Sequence, residues 1–132
     1  MENERLTLKT VSSMEKIMPC IEPAALETEN VMLSNERFHF QLALKNNTKG
    51  MLKRLSARIT GIDEKYLTVR TAELVPGGYF FPDKDDYYIS KEPGLFPDLL
   101  RPISKKGIVV SRAQWSSVFV TVHGENGIPA GC

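Results

Sequence analysis

Between Tyr79 and Asp98 the chain reads YFFPDKDDYYISKEPGLFPD, a stretch with six aromatic rings and three prolines. Tyr79, Phe81, Tyr87 and Tyr88, with Trp115 further along, offer flat, rigid faces of the kind that stack on sugar rings. Asp83, Asp85 and Asp86 add acceptors for sugar hydroxyls, which together describes a largely apolar site with a few placed polar groups. That chemistry is recognition, not bond breaking. The same aromatics can instead be pegs that fasten a long connection to the domain, with the prolines narrowing the unfolded ensemble and EPGLFPD turning the chain back. We read the segment first as pegs. The rings not needed for that are then a surface for glycan or for another protein body.

Groups that could break bonds are thinly placed. Asp63-Glu64 is an adjacent acidic pair, but it lies in the short connection GIDEK between two strand patterns and reads as a solvated turn. His39 falls on the polar side of a strand and His123 at the end of VTVHG, neither with a metal-type partner at close spacing, so both read as structural. Cys20, between Pro19 and Ile21, reads as a small apolar filler, and with Cys132 as the last residue both thiols are expected to be free. The acids of PDKDD begin like a calcium loop but lack the later glycine and glutamate. The turn PGG at Pro76 is followed by no helix and no Lys-Ser/Thr, so it cradles no phosphate. No catalytic residue, metal ligand or cofactor is expected.

The elements that must position these residues are strands. RFHFQLALK sets Phe38, Phe40, Leu42 and Leu44 against Arg37, His39, Gln41, Ala43 and Lys45, the period of a half-buried antiparallel strand. The turn-forming NNTKG follows, and RLSARIT repeats the alternation with Leu55, Ala57 and Ile59, which predicts a hairpin. RLTLKTV, YLTVRTAELV, GIVV and SSVFVTV read as further strands, the last with Val118, Val120 and Val122 on one face. SSMEKIMP allows a short helical turn capped by Ser12 or Ser13, or a bent strand. About six or seven short strands without a long helix or an internal repeat describe an all-β antiparallel sandwich, Ig-like or jelly-roll-like, with long loops.

Composition bounds the rest. The 132 residues fit a single domain that can bury roughly two thirds of its unfolded surface. With 17 basic and 16 acidic residues the net charge is +1, and no basic stripe tracks a phosphate backbone, which argues against nucleic acid. No apolar run has the length of a membrane span. MENERLTLKT lacks the apolar core of a signal peptide, so a cytoplasmic location is expected.

VSSMEKIMP, NERFHFQLAL, VRTAELVP, DKDDYYISKEPGLFPDLLRP, QWSSVFVTV and GIPAG, in that order, resemble the amino-terminal β-sandwich of proteins related to glycoside hydrolase family 123, from about Val11 to Gly131. In that family the sandwich precedes a (β/α) barrel that hydrolyses β-linked N-acetylgalactosamine, using an Asp-Glu pair and the substrate's own acetamido group. The resemblance implies that a barrel of roughly 250 residues and the last strand or strands of the sandwich are missing from residues 1–132. Asp63-Glu64 does not match the family's pair in context. The expectation is therefore a non-catalytic accessory domain whose partner is the barrel or a glycan, with Tyr79, Phe81, Asp83, Asp85, Asp86, Tyr87, Tyr88 and Trp115 as its docking or sugar-contacting residues. A free-standing carbohydrate-binding module and a protein–protein interaction domain, including one that self-associates through an exposed interface, are the alternatives.

Overall fold

Alternation at period two becomes eight antiparallel strands in the computed structural model, which describes residues 2–3, 5–26, 29–78, 90 and 92–131. They are β1 (Glu2–Asn3), β2 (Leu6–Ser12), β3 (Arg37–Asn46), β4 (Leu52–Leu55), β5 (Leu67–Gly77), β6 (Gly94–Pro102), β7 (Ile108–Val110) and β8 (Trp115–His123). The helical pieces among the described residues are two single 3-10 turns, Glu64–Tyr66 and Gly124–Asn126. Where a helical turn or a bend was expected after β2, the chain makes a turn, with the Glu15 N–H donating to Ser12 O at 3.2 Å.

One sheet has the order β1-β2-β3-β8-β5-β6, and β4 with β7 forms a second, smaller one. This is the expected all-β sandwich, made lopsided by its small second layer. Phe40 lies opposite Val120 and Leu42 opposite Val118, while Val69 lies opposite Val120 from the other side, so these residues share a face. Leu44, Val118 and Val120 from that face close on Ile108 and Val110 of β7, and Phe40, Leu42, Leu67 and Val69 pack around them. Removal of this apolar surface from water is the main force holding the layers together.

The opposite face of the large sheet is not the solvated one that the alternation in β3 implies. Arg37 and His39 are exposed, but Gln41 and Ala43 are buried. Residues 13–26 cross this face as a strap. The Gln41 amide nitrogen donates to Ser12 O at 3.0 Å and to Glu15 O at 2.7 Å, and Val11, Ile17, Ala43 and Trp115 form a second apolar cluster beneath the strap.

The expected hairpin between RFHFQLALK and RLSARIT does not form. Both edges of β3 are taken, by β2 and β8, so β4 pairs with β7 in the other layer. β4 is Leu52–Leu55 and takes in only Arg54 and Leu55 of RLSARIT, although the alternation of half-buried Leu55, Ala57 and Ile59 with exposed Arg54, Ser56 and Arg58 continues beyond it. β4 and β7 approach closely: a β-carbon on Gly107, whose φ is +75°, would lie 2.7 Å from the Arg54 Cα. β6 is a strand where the sequence reads as a turning loop. Its prolines are tolerated because it is an edge strand and because Pro97 and Asp98 sit in a bulge, between the pairs Glu73–Leu99 and Val75–Phe96.

Asn46, fully buried at the end of β3, joins the two layers. Its amide nitrogen donates to Gly50 O at 2.8 Å and to Val110 O of β7 at 2.9 Å, while its amide oxygen accepts from the Thr48 N–H at 2.8 Å and the Thr48 hydroxyl at 2.7 Å. Asn46→Ala strands several buried polar groups at once and is expected to lower the unfolding free energy by about 2–4 kcal/mol in urea titrations. Asn47→Ala, at the exposed neighbouring position, is expected to cost within about 0.5 kcal/mol. Equal effects from the two substitutions would contradict the joint.

Candidate functional site

Of the residues singled out for recognition, Tyr79, Phe81, Asp83, Asp85, Asp86, Tyr87 and Tyr88 lie outside the described residues, as does the calcium-like PDKDD. Trp115 is described, and it is not a surface ring. It is 6% exposed at the start of β8, and its backbone N–H donates to Pro19 O at 2.8 Å. The Lys9 and Lys45 ammonium groups stand 5.6 and 5.8 Å from its ring centroid, a cation–π arrangement that covers the ring with charge. Trp115 is thus a peg that holds the strap, and sugar cannot stack on a ring so enclosed.

Asp63 and Glu64 are exposed, as their turn implies. The Asp63 carboxylate accepts from the Lys65 N–H at 3.0 Å and caps the Glu64–Tyr66 turn. Cys20, read as a buried filler, is instead an exposed free thiol, because the strap turns at Pro19-Cys20 on its way past Trp115. Cys132 lies outside the described residues. Among the described residues no three His, Cys, Asp or Glu side chains gather as a metal site would require, and no helix is long and apolar enough to cross a membrane.

One constellation was missed. The Thr68 hydroxyl is 2.7 Å from His123 Nε2, His123 Nδ1 is 3.1 Å from Glu125 Oε1, and the Arg37 guanidinium pairs with the same carboxylate. Hydroxyl, imidazole and carboxylate follow one another in the order of a nucleophilic triad. The sequence spacing of His123 and Glu125 hints at the second contact. The first follows only from the β5–β8 register, in which Thr68 lies opposite Thr121 and diagonal to His123. A triad also needs a cleft to hold an acyl group beside the hydroxyl. None of the three clefts described here, of about 520, 370 and 200 Å³, takes in Thr68, His123 or Glu125. The constellation pins the Gly124–Asn126 turn to the sheet, and His39, 3.0 Å from the Thr121 hydroxyl, extends the same polar row. Both histidines hydrogen-bond to a threonine hydroxyl on a neighbouring strand.

A surface emerges on the β5–β6 side instead. Register and alternation put Leu74, Leu95 and Leu100 on one face of the large sheet, and all three are exposed. Met14, 90% exposed on the strap, lines the 200 Å³ dent together with Pro97 and Leu100. The Lys16–Asp98 ion pair ties strap to β6 beside this strip. The strip starts where β5 and β6 leave for the aromatic segment, since Gly77 and Gly94 are their last paired residues.

Partial burial works to raise the Glu125 pKa, but hydrogen bonds from Arg37 and His123 outweigh it and hold the group at about 2, against 4.5 ordinarily. A depressed carboxylate contributes stability above its unfolded pKa and loses it as pH falls through the folded one. The melting-temperature gap between the native chain and Glu125→Gln is therefore expected to be widest above about pH 5 and to close as pH falls toward about 2. A gap of constant size over that window would contradict the arrangement.

No family model matches the chain, and no curated protein matches it either.

Proposed function

We propose that the chain is a non-catalytic accessory β-sandwich of a glycoside-hydrolase-like protein, and that it docks a catalytic barrel on its β5–β6 face. The observation that carries this reading is the aliphatic strip. Leu95 is 54% exposed, Leu74 39% and Leu100 38%, with Met14 alongside, and contiguous apolar surface of this kind marks a contact with another body. Lys16 and Asp98 give the strip a polar rim, the usual anatomy of an interface. Pro97, Pro102 and the bulge disfavour addition of a partner strand to the β6 edge, so docking is face-on. The resemblance to the family 123 sandwich supplies the partner's identity. The large exposed apolar side chains among the described residues are aliphatic or methionine, never aromatic, which favours docking over a sugar-stacking platform there.

The chain is expected to bind a purified family 123 barrel domain in a titration, and Leu95→Asp with Leu100→Asp to weaken that binding at least about tenfold, roughly 1.4 kcal/mol. Exposed positions away from special features tolerate substitution within about 0.5 kcal/mol, so the fold should survive both changes. Self-association at this face, or no binding to the barrel, would contradict the proposal. The chain alone is expected to release no chromophore from a chromogenic N-acetylgalactosaminide. Turnover abolished by Asp63→Ala or Glu64→Ala would overturn the non-catalytic reading.

A further inference from the structure

We propose that the cleft where β5 parts from β8 binds a neutral, polyhydroxylated ring of monosaccharide size, held by the Ser117 hydroxyl. β5 pairs with β8 only as far as Ala72–Ser117 and then continues to Gly77 with β6 alone. The place beside Trp115 that β5 vacates is taken by the strap, through the bond from the Trp115 N–H to Pro19 O. Between the parted strands lies a cleft of about 370 Å³, at the small end of the roughly 300–1,000 Å³ that ligand sites occupy, and so suited to one ring.

The ladder also presents backbone to this cleft. In an antiparallel sheet, alternate residues turn their peptide groups to alternate neighbours. Because the Asn46 N–H bonds to Gln114 O, Trp115 and Ser117 turn theirs toward β5, and Ala72 and Leu74 turn theirs toward β8. The Leu74 peptide group therefore faces the gap.

Ser117 lines the cleft, is 2% exposed, and its hydroxyl has no hydrogen-bond partner. A buried hydroxyl without a partner weakens a fold. Packing does not call for it either: its cross-strand neighbours are Ala43 and Ala72, and a third alanine would fit the row. A ligand hydroxyl supplies the missing partner. Ile17 and Ile108 offer apolar walls for the C–H faces of a ring, while Ser104, Ser111 and Gln114 offer further donors and acceptors. Glu73 and Lys106 both line the cleft, so it has no net preference for either sign of charge, and Glu73 is engaged by Arg101 at 3.4 Å. A neutral polyol meets these conditions.

This site borders the docking face, with Leu74 common to both, but Leu95 and Leu100 lie outside its lining, so substitutions there separate the two. The chain is titrated with glucose, galactose and N-acetylgalactosamine, in turn, while its amide resonances are followed by NMR. At least one sugar is expected to give saturable shifts centred on Gln114, Ser116 and Ser117. Ser117→Ala is expected to weaken that binding about tenfold, with a melting temperature equal to or above the native one, because the lost hydroxyl had no protein partner. Gln114→Ala, at the rim, should weaken it without touching the core, and the Leu95→Asp, Leu100→Asp variant should bind sugar normally. Absence of saturable shifts with all three sugars, shifts centred elsewhere, or undiminished binding by Ser117→Ala would overturn the proposal.

Discussion

Asn46 has no exposed surface, and a buried amide must bond through its polar atoms or cost the fold about 1–3 kcal/mol for each group left unpaired. Its four side-chain bonds reach the turn after β3 and the backbone of β7. Its backbone bonds with Gln114 and Ala113 set the start of β8. One residue thus ties the central strand, its turn, the second sheet and the β7–β8 corner. The apolar contacts of Leu44, Ile108, Val110, Val118 and Val120 supply more energy, but they are non-directional, and it is the directional amide that fixes how the small sheet sits on the large one.

The strap depends on a similar device. Gln41 lies on the face that alternation would leave to water, yet its amide captures the carbonyls of Ser12 and Glu15 and brings Ile17 down on Ala43 and Trp115. The strap then decides what the opposite face can do. It covers Trp115, it takes the place that β5 vacates beside β8, and its Lys16 reaches Asp98 at the rim of the apolar strip.

Much of the strand pattern is legible from residue types alone. The faces of Val118, Val120 and Val122 and of Leu55, Ala57 and Ile59 follow from period two, because burial is a local consequence of alternation. Pairing is not local. Nothing in RLSARIT says that both edges of β3 will be occupied, so the predicted hairpin fails while its burial pattern holds. β6 hides behind Pro97 and Pro102, which read as loop until its edge position and bulge are known. Trp115 reads by type as either a recognition ring or a peg; it is buried at the start of β8, and the strap bonded to its backbone N–H is the part that type alone does not reveal. The Thr68–His123 contact and the Ser117 cleft are likewise products of register, invisible to spacing along one strand.

At one flank of the large sheet β5 and β6 carry the exposed Leu74, Leu95 and Leu100. The proposed docking at that flank is read by hydrogen exchange of the chain, alone and mixed with a family 123 barrel domain. Slower exchange in β6 and the end of β5, with β1 and β2 unchanged, is the predicted result. Unchanged exchange throughout, or protection confined to β1 and β2, would contradict it.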